Sequence, residues 1–438
     1  MMETIIYHEL FIEHAREGTF FTLPFPMSPD TEKLNISYKY GRFDLGDNWL
    51  DDSGFVSRQE INIVDLGLIA PDGTQVGFTG SDKMEITVSA TSATPGYKPC
   101  DLVEGEWRIM VGAYHIAPEG IKVYYEITCN EKIPRWLKGD LHTHTLASDG
   151  VLTAEEIGRH AVRHGLDFVA ITDHNYFSTA DSLPNIPGLT FIPGVEWTHY
   201  QGHANFLGSD KPYDQPFATN TPEEALTRFE SARSRGAFIS VNHPFEVGLE
   251  FKFDLDVFPY DCLEIWNGPM REPNLRALGW WQSLLAAGKR APICGGSDYH
   301  RDSPFQLLGG PTTCVYAMSA SPSDILAALK AGHSYIIYAP NGPTLELTAG
   351  DANIGDVASW KQTKELQIAV EGLQGGDIIR VVTENSSETI LQATAAGRCQ
   401  LTYNMQAPGF ARVEILRSFL PGLPMLPALI SNPIYFEG

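Results

Sequence analysis

Nine of the thirteen histidines of this chain fall between His142 and His300, several of them beside carboxylates. His142 and His144 stand two apart in Gly139-Asp-Leu-His-Thr-His-Thr145, and Asp298 and His300 repeat that spacing in Ser297-Asp-Tyr-His300. On an extended strand, residues i and i+2 project from one face, so each pair can reach a single ion. Asp149, His174, Glu196, His203 and His243 lie between the two pairs, each at or near the end of an expected strand. Imidazoles with a few carboxylates, and no cysteine in the set, suit Zn, Mn or Fe. These nine ligands are too many for one tetrahedral site. They fit two or three divalent ions, with at least one carboxylate bridging. Ions about 3.5–4 Å apart lower the pKa of bound water and clamp substrate oxygens. The expected nucleophile is therefore a hydroxide held on the metals, and no serine nucleophile elbow is present.

The surrounding elements have a repeated grammar. Thr153–Gly165 reads as a helix, with Thr153 and Glu156 forming a capping box and Gly165 a stop. The apolar run Phe168–Thr172 follows, ending in Asp173-His174. Pro222–Gly236 then reads as a helix, Ala237–Val241 as a strand, and Asn242-His243-Pro244 closes it. Glu272–Gly288 and Pro292–Gly296 repeat the pattern and lead to Asp298. Polar residues at the C-terminal ends of buried strands are where α/β enzymes place their chemistry.

At 438 residues, two or three domains are expected. Residues 1–135 carry short alternating segments (Leu34–Tyr40, Glu60–Leu66, Met84–Ser89, Trp107–Ala113, Ile121–Thr128), the pattern of a β-sandwich-like domain. Residues 136–340 alternate strands and helices in the α/β manner. Residues 341–438 return to strands at Thr344–Leu347, Leu366–Val370, Ile378–Thr383 and Ala411–Leu416, a small β domain. The net charge of −23, without any Lys/Arg run, argues against a nucleic-acid partner. No uninterrupted apolar stretch of membrane-spanning length occurs, and Met1–Glu13 lacks a signal-peptide layout. The six cysteines are scattered without CxxC pairs, which suits a reducing compartment, so a cytoplasmic location is the expectation.

The ordered set His142-Thr-His144 with Ser148-Asp-Gly150, Thr172-Asp-His174, Gly194-Val-Glu196, Asn242-His243 and Ser297-Asp-Tyr-His300 resembles the motifs of the PHP (polymerase and histidinol phosphatase) superfamily. Gly202-His203-Ala-Asn205 and Ser431-Asn-Pro-Ile-Tyr435 resemble more particularly the CehA/McbA-type members, which add β-rich flanks. The resemblance implies a distorted (β/α)7 barrel with a di- or trinuclear centre. By that likeness His142, His144, Glu196 and Asp298 hold one ion. Glu196 bridges to a second ion on His203 and His243, and Asp149, His174 and His300 hold a third. Asp149 stands where some relatives have histidine.

Other residues divide between functional and structural readings. His160 and His164 have i,i+4 spacing but no glutamate to act as base, so a helix-face role is expected. His199 is a candidate substrate or supporting contact. His8, His14, His115 and His333 read as structural. Asp140 and Asp173 either orient imidazoles or cap backbone. Arg301 is the candidate contact for a substrate anion, with a surface ion pair as its alternative. Arg271, at the opening of a helix near Glu272, is a weaker one. Trp266-Asn267 either lines a pocket or belongs to the core. Tyr38, Tyr40 and Trp49 either mark a ligand surface or fill a sandwich core. The leading expectation is a metal-dependent hydrolase, a phosphoesterase on a small molecule. The alternatives are ester, carbamate or amide hydrolysis, and a binding or scaffold protein with a vestigial barrel.

Overall fold

Alternation with period two builds the first part of the chain. The strand Thr31–Lys39 turns Leu34, Ile36 and Tyr38 inward, and Gly105–His115 does the same with Trp107, Ile109, Val111 and Ala113. The computed structural model describes residues 3–43, 60–214 and 216–438, and the chain divides into two compact units, Met1–Ile133 and Pro134–Gly438. The first unit holds two four-stranded antiparallel sheets whose inward residues share one core. Tyr38 belongs to that core, its hydroxyl donating to the Val64 carbonyl at 2.8 Å. Tyr40 is half-buried beside it and accepts from the Val64 amide. The ligand-surface reading of these two tyrosines is therefore replaced by a packing role. Trp49 lies outside the described residues.

In the second unit Arg135–Asp140, Phe168–Ile171 and Thr190–His199 pair in parallel. Gly202–Leu207 reverses direction between Thr190–His199 and Phe238–Val241. Cys262–Asn267 and Ile293–Gly296 then continue in parallel. Two reversals restore the original direction, so the C-terminal ends of the parallel strands lie at one end. His203, which begins the reversed strand, is at that end too.

Helix α1 (Ala154–Arg163) starts on the expected capping box of Thr153 and Glu156. Helices α2 (Pro222–Ser234) and α3 (Glu272–Ala286) follow, as does α4 (Pro322–Ala331), which is capped by Ser321. Four α-helices among the described residues are fewer than a regular (β/α)7 barrel would carry. Backbone pairing runs as an open path from Ile293–Gly296 through Arg135–Asp140 to Thr312–Ala317. A side chain joins the two ends of that stretch. The Thr313 hydroxyl donates to the Gly295 carbonyl at 2.7 Å and accepts from its amide at 2.9 Å.

The strands after residue 341 stay within this unit. Leu426–Ser431 pairs with Ser334–Ile337 and extends the same sheet through Gly409–Arg417 and Ile378–Thr383. Thr344–Ala349, Ala352–Asn353, Glu365–Leu373 and Gly397–Asn404 form a separate four-stranded sheet. Asn432 has a bracing role: its amide oxygen accepts from the Ile293 amide at 3.0 Å and its nitrogen donates to Ser334. The C-terminal Ser-Asn-Pro segment thus fixes the strand that leads to Asp298. No helix of the described residues is long and apolar enough to cross a membrane.

Candidate metal centre

All nine expected ligands converge, and Glu196 is their hub. Its Oε1 lies 3.3 Å from His142 Nε2, 3.1 Å from His203 Nδ1 and 3.4 Å from His243 Nε2. Its Oε2 lies 2.7 Å from His174 Nδ1 and 3.7 Å from His144 Nε2. The two carboxylate oxygens therefore face different histidines. Asp298 Oδ1 is 3.0 Å from His144 Nε2 and 3.4 Å from His142 Nε2. Asp149 Oδ1 is 3.1 Å from His300 Nε2 and 3.6 Å from His174 Nε2.

Three groups are compact enough to hold an ion: His142–Glu196–His243, His142–His144–Asp298, and His144–Asp149–His174–His300. They overlap at His142 and His144, so the three groups lie side by side. His203 stands outside these groups but touches Glu196 and packs against the His243 ring at 5.1 Å.

The donor set fits divalent cations on one further observation. His142 Nε2, both ring nitrogens of His144, Glu196 Oε2 and His243 Nδ1 are buried without a hydrogen bond of good geometry, although Glu196 Oε2 and His144 Nε2 lie close to other ligand-type atoms. An unsatisfied buried polar atom costs about 1–3 kcal/mol. Several on facing ligand-type side chains are explained by coordination.

The backbone is shaped for this convergence. His243 and Asp298 adopt positive φ, 26° and 51°, conformations that persist only where the surroundings enforce them. A Cβ on Gly296 would fall 2.4 Å from His142 Cβ, so only glycine lets the two strand ends approach. At Gly150 a Cβ would lie 2.1 Å from the His144 carbonyl oxygen, which ties the Asp149 loop closely to the His144 segment.

The electrostatics are those of a buried anionic centre. Burial opposes charge on His142, yet Asp298, Glu264 and Glu196 outweigh it and hold its pKa well above the ordinary imidazole value. Burial likewise works against Glu196. The imidazoles of His142, His174 and His203 reverse that and hold its carboxyl well below the usual range. Asp298 is also held low, by His142 and His144 against its own desolvation. The pKa of His144 is lowered, unlike that of His142, because desolvation dominates there.

Three supporting residues emerge, of which Glu264 and Thr198 are not singled out by the motifs and Asn242 stands in one without an assigned role. Glu264 Oε1 holds His142 Nδ1 at 2.9 Å, leaving Nε2 to face the cluster, and its Oε2 accepts from the His243 amide. Its signal is a lone charged residue in the buried run Cys262–Asn267, where a carboxylate must find partners. Thr198 Oγ1 lies 2.7 Å from His174 Nδ1, and Asn242 donates to Glu196 Oε1 at 2.8 Å.

Asp140 and Asp173 organise backbone rather than imidazoles. Asp140 accepts from the amides of His142, Ser297 and Gly309, and burial pushes its carboxyl up to about 6. Asp173 accepts from Thr145 and Ser148 and so fixes the loop that carries Asp149.

His199 does not join the site. Strand alternation turns Trp197 and His199 away from the face of Glu196 and Thr198. His199 stacks on Trp197, accepts from the Gln201 amide and contacts the Thr219 carbonyl. This corrects its candidacy. Arg301 is exposed and makes no ion pair among the described residues. Arg271 is engaged by Glu246 at 3.0 Å. Trp266 is buried, and Asn267 donates to both Glu264 and Asp298. His164 contacts the Leu308 carbonyl and packs on His160, while His333 pairs with Asp356.

No family model matches the chain. Among curated proteins it is similar to the 5'-3' exoribonuclease Rnm of Salmonella typhimurium, 37% identical over 83 residues, covering 16% of this chain and 27% of that protein. It is also similar to a 5'-3' exoribonuclease of Haemophilus influenzae, 33% identical over 96 residues, covering 20% and 35% respectively. The chain thus spans about a third or less of the length of these relatives. Among solved structures it is similar to a two-domain protein from Bacteroides vulgatus described as containing a PHP-like metal-dependent phosphoesterase. Identity is 18% at a TM-score of 0.41, covering 70% of this chain and 98% of the other. A protein from Bifidobacterium adolescentis described as a metal-dependent phosphoesterase matches at 17% identity and a TM-score of 0.30, covering 39% and 90%.

Proposed function

We propose that the second unit carries a PHP-type metal-dependent hydrolase that cleaves a phosphoester of a small molecule, with the nine clustered residues as its ligands. The observation that carries this reading is the set of buried ring and carboxylate atoms around Glu196 that lack a hydrogen bond of good geometry. Glu196, His203 and His243 would hold the deep ion. His142, His144 and Asp298 would surround a second that Glu196 also reaches, and Asp149, His174 and His300 the outermost. Divalent ions bound there would activate water and draw charge from the substrate's oxygens.

The chain's own residues set the rest. Glu264, Thr198 and Asn242 fix the orientation of His142, His174 and Glu196, and Asp140 and Asp173 lock the loops. Hydrolysis would break the P–O bond to the alcohol, with water's oxygen bonding to phosphorus and a proton passing to the departing oxygen. The phosphoester choice is supported by the motif order and by the short sequence likeness to exoribonucleases. The small-molecule choice is supported by the net charge of −23.

The test is a purified sample loaded with Mn or Zn and assayed on an aryl phosphate, an aryl carbamate and an RNA oligonucleotide. Metal-dependent turnover of the phosphate, abolished by His300→Ala, is the expected result. Turnover of the carbamate without the phosphate would replace the phosphoester reading, and turnover of the RNA alone would replace the small-molecule one.

A further inference from the structure

A cavity of about 780 Å³ opens in the second unit, and none of the nine clustered residues lines it. Its walls come from residues 266–270 ahead of α3, from 304–310, from 338–341 and from 426–427, with Phe419 beside them. The chain has 54 acidic and 31 basic residues, yet no aspartate, glutamate, lysine or arginine among the described residues lines this space. Its large side chains include Trp266, Met270, Phe305, Tyr338 and Phe419.

Three polar side chains on the wall already have protein partners. Trp266 Nε1 donates to the Gly268 carbonyl at 3.1 Å, His164 Nδ1 lies 3.1 Å from the Leu308 carbonyl, and the Tyr338 hydroxyl accepts from Arg417 Nη1 at 3.5 Å. A charged ligand would lose its hydration here without gaining a counter-charge, which is costly. A neutral apolar one would be favoured by the area it removes from water.

Two loops at the cavity hold large apolar side chains in water. Phe305 and Leu307 are 80% and 51% exposed in one, and Leu420 and Leu423, in the same loop as Phe419, are 61% and 55% exposed in the other. Both loops are anchored. Ser418 Oγ donates to the Leu420 carbonyl at 2.9 Å, Phe419 packs edge-on against Tyr338 at 4.9 Å, and Arg417 at the loop's base pairs with Asp377 at 2.7 Å. In the other loop Gln306 donates to the Ser297 carbonyl at 3.2 Å, and the Gly310 amide donates to the Leu307 carbonyl at 3.0 Å. Exposed apolar side chains on anchored loops, around a concave space of small-molecule size, mark a ligand site rather than ordinary surface.

We propose that this cavity is a second binding site, separate from the metal centre, for a neutral and largely aromatic small molecule. Trp266, Phe305, Tyr338 and Phe419 supply the aromatic contact, and ring pairs of this kind add to the gain from burial. The inference goes beyond the hydrolase reading and stands whether or not that reading holds.

The experiment is calorimetric titration of the full chain, metal-free and Mn-loaded, with 4-phenylphenol and with biphenyl-4-carboxylate. In the metal-free protein one 4-phenylphenol is expected to bind per chain, roughly tenfold or more tightly than the carboxylate. The Mn-loaded protein should give the same Kd for 4-phenylphenol within about twofold. Ala339 lies on the wall and is small, so Ala339→Trp should fill the space and abolish binding. Phe305→Ala, at an exposed position, should weaken binding several-fold and leave the circular dichroism spectrum unchanged. Absence of 4-phenylphenol binding, equal affinity for the carboxylate, or an unchanged Kd in both variants would each overturn the assignment. Displacement of the probe by Mn would overturn the separation from the metal centre. A dimer in sedimentation equilibrium, with no probe bound, would assign the cavity to a second copy of the chain instead.

Discussion

The ligand cluster has a deep half and an outer half, and they are built differently. His142, Glu196, His203 and His243 are all buried, and they rest on strand ends with further partners behind them, Glu264 and Asn242. The outer group is open to solvent. The side chains of Asp149, His174 and His300 are 56%, 28% and 24% exposed, and Asp149 sits on a loop fixed by Asp173. A buried carboxylate among imidazoles is costly unless cations complete it, whereas an exposed one is hydrated and tolerates vacancy. The deep half should therefore retain its metal tightly, and the outer half should exchange it and meet the substrate first.

The sharpest way to break this comparison is to remove the hub. Glu196→Ala should strip the deep ions and lower kcat/KM roughly a thousandfold, since metal activation contributes several kcal/mol at about 1.4 kcal/mol per factor of ten. Steady-state kinetics on the metal-loaded variant check it, and activity within tenfold of the parent would contradict the hub role. Glu264→Gln addresses the support behind His142. Loss of such a partner costs about 10–100-fold in metal affinity, readable by competition with a chelator while circular dichroism reports the fold. Asp149→Asn should cost less, roughly tenfold in kcat/KM, about 1.4 kcal/mol, with the deep ions retained. Thr153→Ala, in the α1 cap, should lower stability by about 1 kcal/mol in urea denaturation and leave metal content unchanged.

The convergence of these side chains is legible because i,i+2 pairs and strand-end placement are local patterns. His203 is singled out by its motif resemblance, although nothing local shows that it begins a reversed strand. Glu264 was hidden because the run Cys262–Asn267 reads as an ordinary buried strand, and its partners are distant in sequence. His199 misled because it stands close to the site along the chain; period-two alternation from Glu196 puts it on the opposite face. The capping box on α1 appeared where expected. The merger of Leu426–Ser431 with Ser334–Ile337 depends on long-range pairing that no local pattern announces. Tyr38 illustrates the same limit, since a tyrosine on an alternating strand reads equally as core or as surface until the second sheet is placed.

The most direct test of the two-part centre is metal content per chain, measured by inductively coupled plasma mass spectrometry after Mn or Zn loading and rapid desalting. The unmodified protein should retain two or three ions, Asp149→Asn one fewer, and Glu196→Ala almost none. Retention of no metal by the unmodified protein, or equal losses in the two variants, would contradict the division into a deep and an outer half.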